Sequence, residues 1–143
     1  MTTRNESGEG AEQVRVLLEK AGEQERDGHV REAIETYRRS LAIEERPWIL
    51  QHLGNLYNQT GQLDEAIRVF EHLIKILPGL AGGHYGLGLS YYRVARVQEA
   101  IARFEKAVEL DPAMMTARYW LGIAHYHRGD LDEAIAVYRD LLR

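Results

Sequence analysis

The sequence predicts an all-α chain of about four antiparallel helix pairs stacked in tandem, and three observations predict it. The tripeptide Glu-Ala-Ile recurs at Glu32, Glu65, Glu99 and Glu133, at spacings of 33, 34 and 34 residues. Each period carries two apolar stripes at helical spacing. Short polar turns divide the two stripes of a period, and prolines divide one period from the next. Self-similarity at a fixed period marks a repeat architecture, in which each unit covers the apolar face of its neighbour.

Along the chain, residues 1–12 are polar and lack a stripe, so a flexible tail is expected there. The first unit, 13–46, is the loosest: Ala21 and Gln24 open its frame, Ala33, Tyr37 and Ser40 follow, and it is one residue short before Pro47. The second, 47–80, reads Leu53-Gly54, Tyr57, Ala66, Phe70, Leu73 and Pro78. In the third, 81–114, the same places hold Leu87-Gly88, Tyr91, Ala100, Phe104, Ala107 and Pro112, and in the fourth, 115–143, Leu121-Gly122, His125, Ala134, Tyr138 and Leu141. His84, Leu87, Gly88 and Tyr91 form one helical stripe; Ala100, Phe104 and Ala107 form the next. Gly61 and Gly129, in the turns TGQLD and RGDLD, suit a left-handed helix end. Asp130 with Glu133 predicts a capping box at the last helix. Gly54, Gly88 and Gly122, with Ala33, Ala66, Ala100 and Ala134, let paired helices approach closely, and the aromatic residues beside them fill the space.

These residues resemble the tetratricopeptide repeat (TPR) signature, W-x2-L-G-x2-Y followed by A-x3-F and P, over about residues 14 to 143. Leu50, His84 and Arg118 stand where that signature has tryptophan, and the first unit lacks the Leu-Gly pair. The resemblance implies a TPR α-solenoid, a right-handed superhelix whose first helices line a concave groove.

On that frame the stripe one residue beyond the core stripe faces the groove. It forms three rows: Gln51-Tyr85-Tyr119, Asn55-Leu89-Ile123 and Asn58-Tyr92-Tyr126. The lining is thus amide-rich at one end and aromatic at the other, with Trp48, Arg93 and His127 at its edges. Exposed apolar patches with polar tips mark partner surfaces, and an asparagine offers donor and acceptor to an extended peptide backbone. Tyr92 and Tyr126 have two readings, binding surface or wedge between repeats. Asn55 and Asn58 also have two, peptide clamp or solvated amide. A TPR subclass grips the C-terminal carboxylate of heat-shock chaperones with Lys, Asn, Asn, Lys and Arg. Carried onto the first three units, those places hold Leu18, Gly22, Asn55, Tyr85 and Leu89, so only one asparagine survives. The expected partner is a peptide segment or helix of another protein, more apolar than acidic.

Other chemistry finds little support. With 18 Lys and Arg against 22 Asp and Glu, the net charge of −4 lacks the basic footprint of nucleic-acid binding. Cysteine is absent, which excludes disulfides and thiolate sites. The run GLAGGHYGLG has no preceding strand and no GK[ST] ending, so a phosphate loop is not expected; Gly82, Gly83 and Gly86 are read instead as weakening the start of a helix. Six scattered histidines without HExxH suggest no metal site. Neither an apolar leader nor a run of about 18 apolar residues is seen, and an intracellular, cytoplasmic location is expected. No catalytic constellation, cofactor or enzyme activity is expected, since a glutamate recurring in every unit is architectural.

The last unit ends at Leu141, Leu142 and Arg143, without the amphipathic capping helix that TPR arrays usually carry. An exposed apolar fringe at Ile135, Leu141 and Leu142 follows, and three readings stand: a fragment of a longer protein, a homodimer through this edge, or a tolerated frayed end. The functional expectation is a non-catalytic interaction module, scaffold or adaptor. The alternatives are a self-associating scaffold, a bacterial secretion chaperone, or a substrate-recognition arm of a larger enzyme such as a glycosyltransferase with an asparagine ladder.

Overall fold

Eight α-helices, with no strand among the described residues, follow one another as four hairpins in the computed structural model, which describes residues 2–143, with side chains from residue 8. They are α1 (Thr2–Arg26), α2 (Val30–Ile43), α3 (Pro47–Thr60), α4 (Leu63–Ile76), α5 (Ala81–Arg93), α6 (Val97–Leu110), α7 (Met115–Arg128) and α8 (Leu131–Leu141). Each helix packs on the next, and α3, α5 and α7 also touch one another in succession. The chain is an all-α solenoid. α1 includes residues 2–12 of the polar N-terminal segment, where a tail was expected, with Gly8 and Gly10 inside the helix.

All four hairpins turn by one device. The residue closing the first helix is left-handed, at φ 81° in Gly28, 78° in Gly61, 66° in Ala95 and 95° in Gly129. Beyond it, the amides of His29, Gln62, Arg96 and Asp130 reach back to the carbonyls of Gln24, Tyr57, Tyr91 and His125 at 2.7 to 2.9 Å, satisfying helix-end acceptors. Three turns place glycine at this point, and the third carries alanine against the preference of L-residues. Pro47 opens α3 as its first residue, where a missing N–H does no harm. The capping box at Asp130 does not form: its carboxylate is engaged by Arg128 Nε at 3.2 Å and His125 Nδ1 at 3.3 Å, leaving no side-chain cap on α8.

Close packing explains the small residues. A Cβ on Gly54 would lie 2.6 Å from the Phe70 ring, one on Gly88 2.6 Å from Phe104, and one on Gly122 2.8 Å from Tyr138. Phe70 and Phe104 are wholly buried, each contributing about 1.5–3 kcal/mol by leaving water. Gly82 and Gly86 prove to be contact points as well as weak helix formers. A Cβ on Gly86 would fall 2.2 Å from Phe70, so that ring is held between its own unit's Gly54 and the next unit's Gly86; one on Gly82 would meet Gln51 Nε2 at 2.2 Å. His84, in a tryptophan place of the signature, is buried with both ring nitrogens occupied: Nε2 is 2.8 Å from the Pro78 carbonyl and Nδ1 is 3.2 Å from Arg103.

Candidate concave binding face

The first helices α3, α5 and α7 lie side by side because their glycine stripes sit on the aromatic rings of the second helices, and this turns the next stripe outward. Trp48 and Tyr119 are each 52% exposed and Tyr126 60%; Asn55 is exposed, while Gln51, Leu89 and Ile123 are half-buried. Tyr85 is also half-buried. Its ring leans on Phe104 with centroids 6.1 Å apart, and burial pushes its phenol up.

The row Asn58-Tyr92-Tyr126 is a set of ties between units. Asn58 is buried; its amide donates to the Gly86 carbonyl at 3.2 Å and accepts from the Ser90 hydroxyl at 2.7 Å. Its donor and acceptor are therefore occupied inside the fold, and it leaves the expected lining. Tyr92 stacks on His127 with centroids 5.5 Å apart, hydrogen bonds to its Nδ1, and meets Trp120 edge-on at 5.3 Å. Tyr92 is thus a wedge between repeats. Arg93 donates to the Asn58 carbonyl, so Arg93 and His127 at the groove edge are both engaged in holding repeats together. Tyr126, at the equivalent place in the fourth unit, is exposed.

The first unit supplies the same kind of tie, which the sequence reading missed. Glu25 occupies the place of Asn58 in the short first frame, and its Oε1 lies 2.5 Å from His52 Nε2 on α3. His52 in turn meets the Tyr37 ring edge-on at 5.1 Å. A count of 33 residues back from Asn58 points to Glu25, but the missing Leu-Gly pair hides the register.

At the α8 edge, Ile135 is 49% exposed and Leu142 89%, while Leu141 is half-buried. Ile101, the counterpart of Ile135 one unit earlier, is only 4% exposed beneath its neighbours. No described helix is long and apolar enough to cross a membrane.

Residues 85–143 match a family model described as tetratricopeptide repeat, and residues 54–94 match one described as TPR repeat. The chain is a tetratricopeptide repeat protein. Among solved structures, MamA is similar in fold, with a TM-score of 0.83 and 24% identity over 90% of this chain and 76% of that one. A tetratricopeptide repeat protein from Parabacteroides merdae aligns at TM-score 0.82 and 25% identity, over 90% of this chain and 51% of its own. A mutant O-GlcNAc transferase of Thermobaculum terrenum aligns at TM-score 0.71 and 28% identity, over 81% of this chain and 22% of the transferase, so TPR helices of this shape also occur within an enzyme. No curated protein matches. A TPR fold with these neighbours supports a protein–protein interaction module in general.

Proposed function

We propose that the chain is a non-catalytic module that binds a peptide segment or helix of another protein along the concave face. One observation carries the reading. After the inter-repeat ties take Asn58, Tyr92, Arg93 and His127, the lining still presents exposed Trp48, Asn55 and Tyr119 around half-buried Gln51, Leu89 and Ile123. Aromatic bodies with polar tips and a free amide suit an apolar segment whose backbone needs hydrogen-bond partners. An acidic carboxylate tail is poorly served, because the row Asn55-Leu89-Ile123 holds no Lys or Arg. The arm of a glycosyltransferase is also poorly served: with Asn58 buried, Asn55 stands alone and the asparagine ladder is absent. In the test, wild type and an Asn55→Ala/Tyr119→Ala variant of equal helicity are used as baits against lysate from the native cell. Loss of the same partners from the variant supports the groove; an unchanged partner set refutes it.

A second reading, self-association through α8, is favoured by the apolar residues Ile135 and Leu142. Light scattering across concentration, repeated with Ile135→Glu/Leu142→Glu, decides it: a strictly monomeric wild type removes this reading.

A further inference from the structure

At the N-terminal end of the concave face, three helices enclose an open pocket of about 430 Å³. Glu25 comes from α1, Tyr37 from α2, and Trp48, Gln51, His52 and Asn55 from α3. Its chemistry is one-sided. Lysine and arginine are absent from the lining, which holds two amide side chains, an exposed Trp48 and a buried Tyr37. The Glu25 side chain is only 25% exposed. One of its oxygens meets His52, and the Tyr37 phenol also hydrogen-bonds to the carboxylate. The carboxylate's charge is felt across the pocket: burial first, then the nearby Glu25, push the Tyr37 phenol up to about 12.

We propose that this pocket receives the guanidinium of an arginine side chain carried by the segment bound in the groove. A carboxylate held by His52 and Tyr37 still has lone pairs to accept a guanidinium N–H, the Gln51 and Asn55 amide oxygens accept others, and the weakly hydrated planar cation stacks on the indole face of Trp48. An anion would meet the Glu25 carboxylate with no lysine or arginine in the lining to offset it. A lysine ammonium fits less well, because it cannot use a planar stack and a forked donor at once. The partner class sharpens accordingly, to a segment with an arginine at one end and apolar or aromatic residues running toward Tyr119. The proposal rests on the groove reading for how the arginine is delivered, but the pocket is testable without the partner.

The test is a nitrogen-15 NMR titration of the whole chain at neutral pH. It follows the indole N–H of Trp48, assigned by its loss in Trp48→Phe, with Trp120 as internal reference. The probe is N-acetylarginine amide, and its neutral isostere N-acetylcitrulline amide is the control. The expected result is a saturable shift of the Trp48 signal with the arginine probe and a still Trp120 signal. Binding should be about tenfold weaker for the citrulline probe and for Glu25→Gln, the ratio expected from one charge-assisted hydrogen bond. No saturable shift, or an equal response to both probes, overturns the proposal. An unchanged affinity in a folded Glu25→Gln chain does so too. The probe comparison needs no variant, so it decides the matter even where Glu25→Gln loosens the first hairpin. Failure here with success of the Asn55→Ala/Tyr119→Ala experiment removes the arginine and keeps the groove.

Discussion

Replacing Gly86 by alanine puts a methyl group 2.2, 2.3 and 2.8 Å from three atoms of the Phe70 ring. The ring cannot retreat, since it is wholly buried and its opposite side rests on Gly54, where a Cβ would stand 2.6 Å away. Overpacking of this kind costs about 1–3 kcal/mol. Alanine returns about 0.8–1.0 kcal/mol in helix propensity. Because the ring is clamped from both sides, the upper part of the range applies, and Gly86→Ala should destabilise by about 1–2 kcal/mol net. Gly82→Ala, on the same helix, is the control. Its methyl would meet only the Gln51 amide end, which swings aside, so a small gain of up to about 0.5 kcal/mol is expected near the helix start. The gap between the two variants, about 2 kcal/mol, corresponds to roughly 1 M in urea midpoint at an m-value of about 2 kcal/mol/M. Urea unfolding followed by far-ultraviolet circular dichroism reads it directly. A Gly86→Ala chain as stable as Gly82→Ala would refute the clamped-ring argument. Adding Phe70→Leu to Gly86→Ala should then cost less than the two changes summed, since the smaller side chain relieves the clash.

The remaining predictions concern strain, charge and the two asparagines. Ala95→Gly should stabilise by about 0.5–1 kcal/mol, because a left-handed alanine costs about 1–2 kcal/mol and glycine gives back about 0.4–1 through the unfolded chain. The melting midpoint should rise by a few degrees, and a fall would contradict the strain. Burial first, then the charges of Arg103 and Lys106, lower the pKa of His84, with the Pro78 carbonyl opposing. Its folded value therefore lies below its unfolded one, so the unfolded chain takes up the proton first. Stability is full above about pH 6.5 and declines as pH falls below it. A His84→Gln chain should lose that part of the slope, and an identical pH profile for both would exclude His84 as its source. Asn58→Ala should cost about 1–3 kcal/mol by stranding its buried partners, whereas exposed Asn55→Ala should stay within about 0.5 kcal/mol. Equal effects in denaturant would erase the distinction between tie and lining.

The hairpins, their glycine contacts and the left-handed turns at Gly61 and Gly129 were legible in the sequence because every unit needs them. A requirement met once per period leaves the same residue at the same place, and periodicity displays it. Even Ala95, which breaks the glycine pattern, could be located by counting. The fate of the row Asn58-Tyr92-Tyr126 belonged to tertiary structure. Each junction solves its own contact with different chemistry: Glu25 with His52, Asn58 with Ser90 and the Gly86 carbonyl, and Tyr92 with His127 and Trp120. A contact made only once has no echo along the chain, and whether an asparagine faces solvent or a serine hydroxyl depends on residues about one repeat away. The capping box failed for a related reason. Asp130 carries the right side chain in the right place, but Arg128 and His125 reach its carboxylate, a competition set by how the turn folds back and not by the spacing of letters. The amino-acid order alone therefore determined which helices form and how they nest. Only the packed chain decided which polar groups are consumed in nesting and which side chains, Asn55, Trp48 and Tyr119 among them, stay exposed.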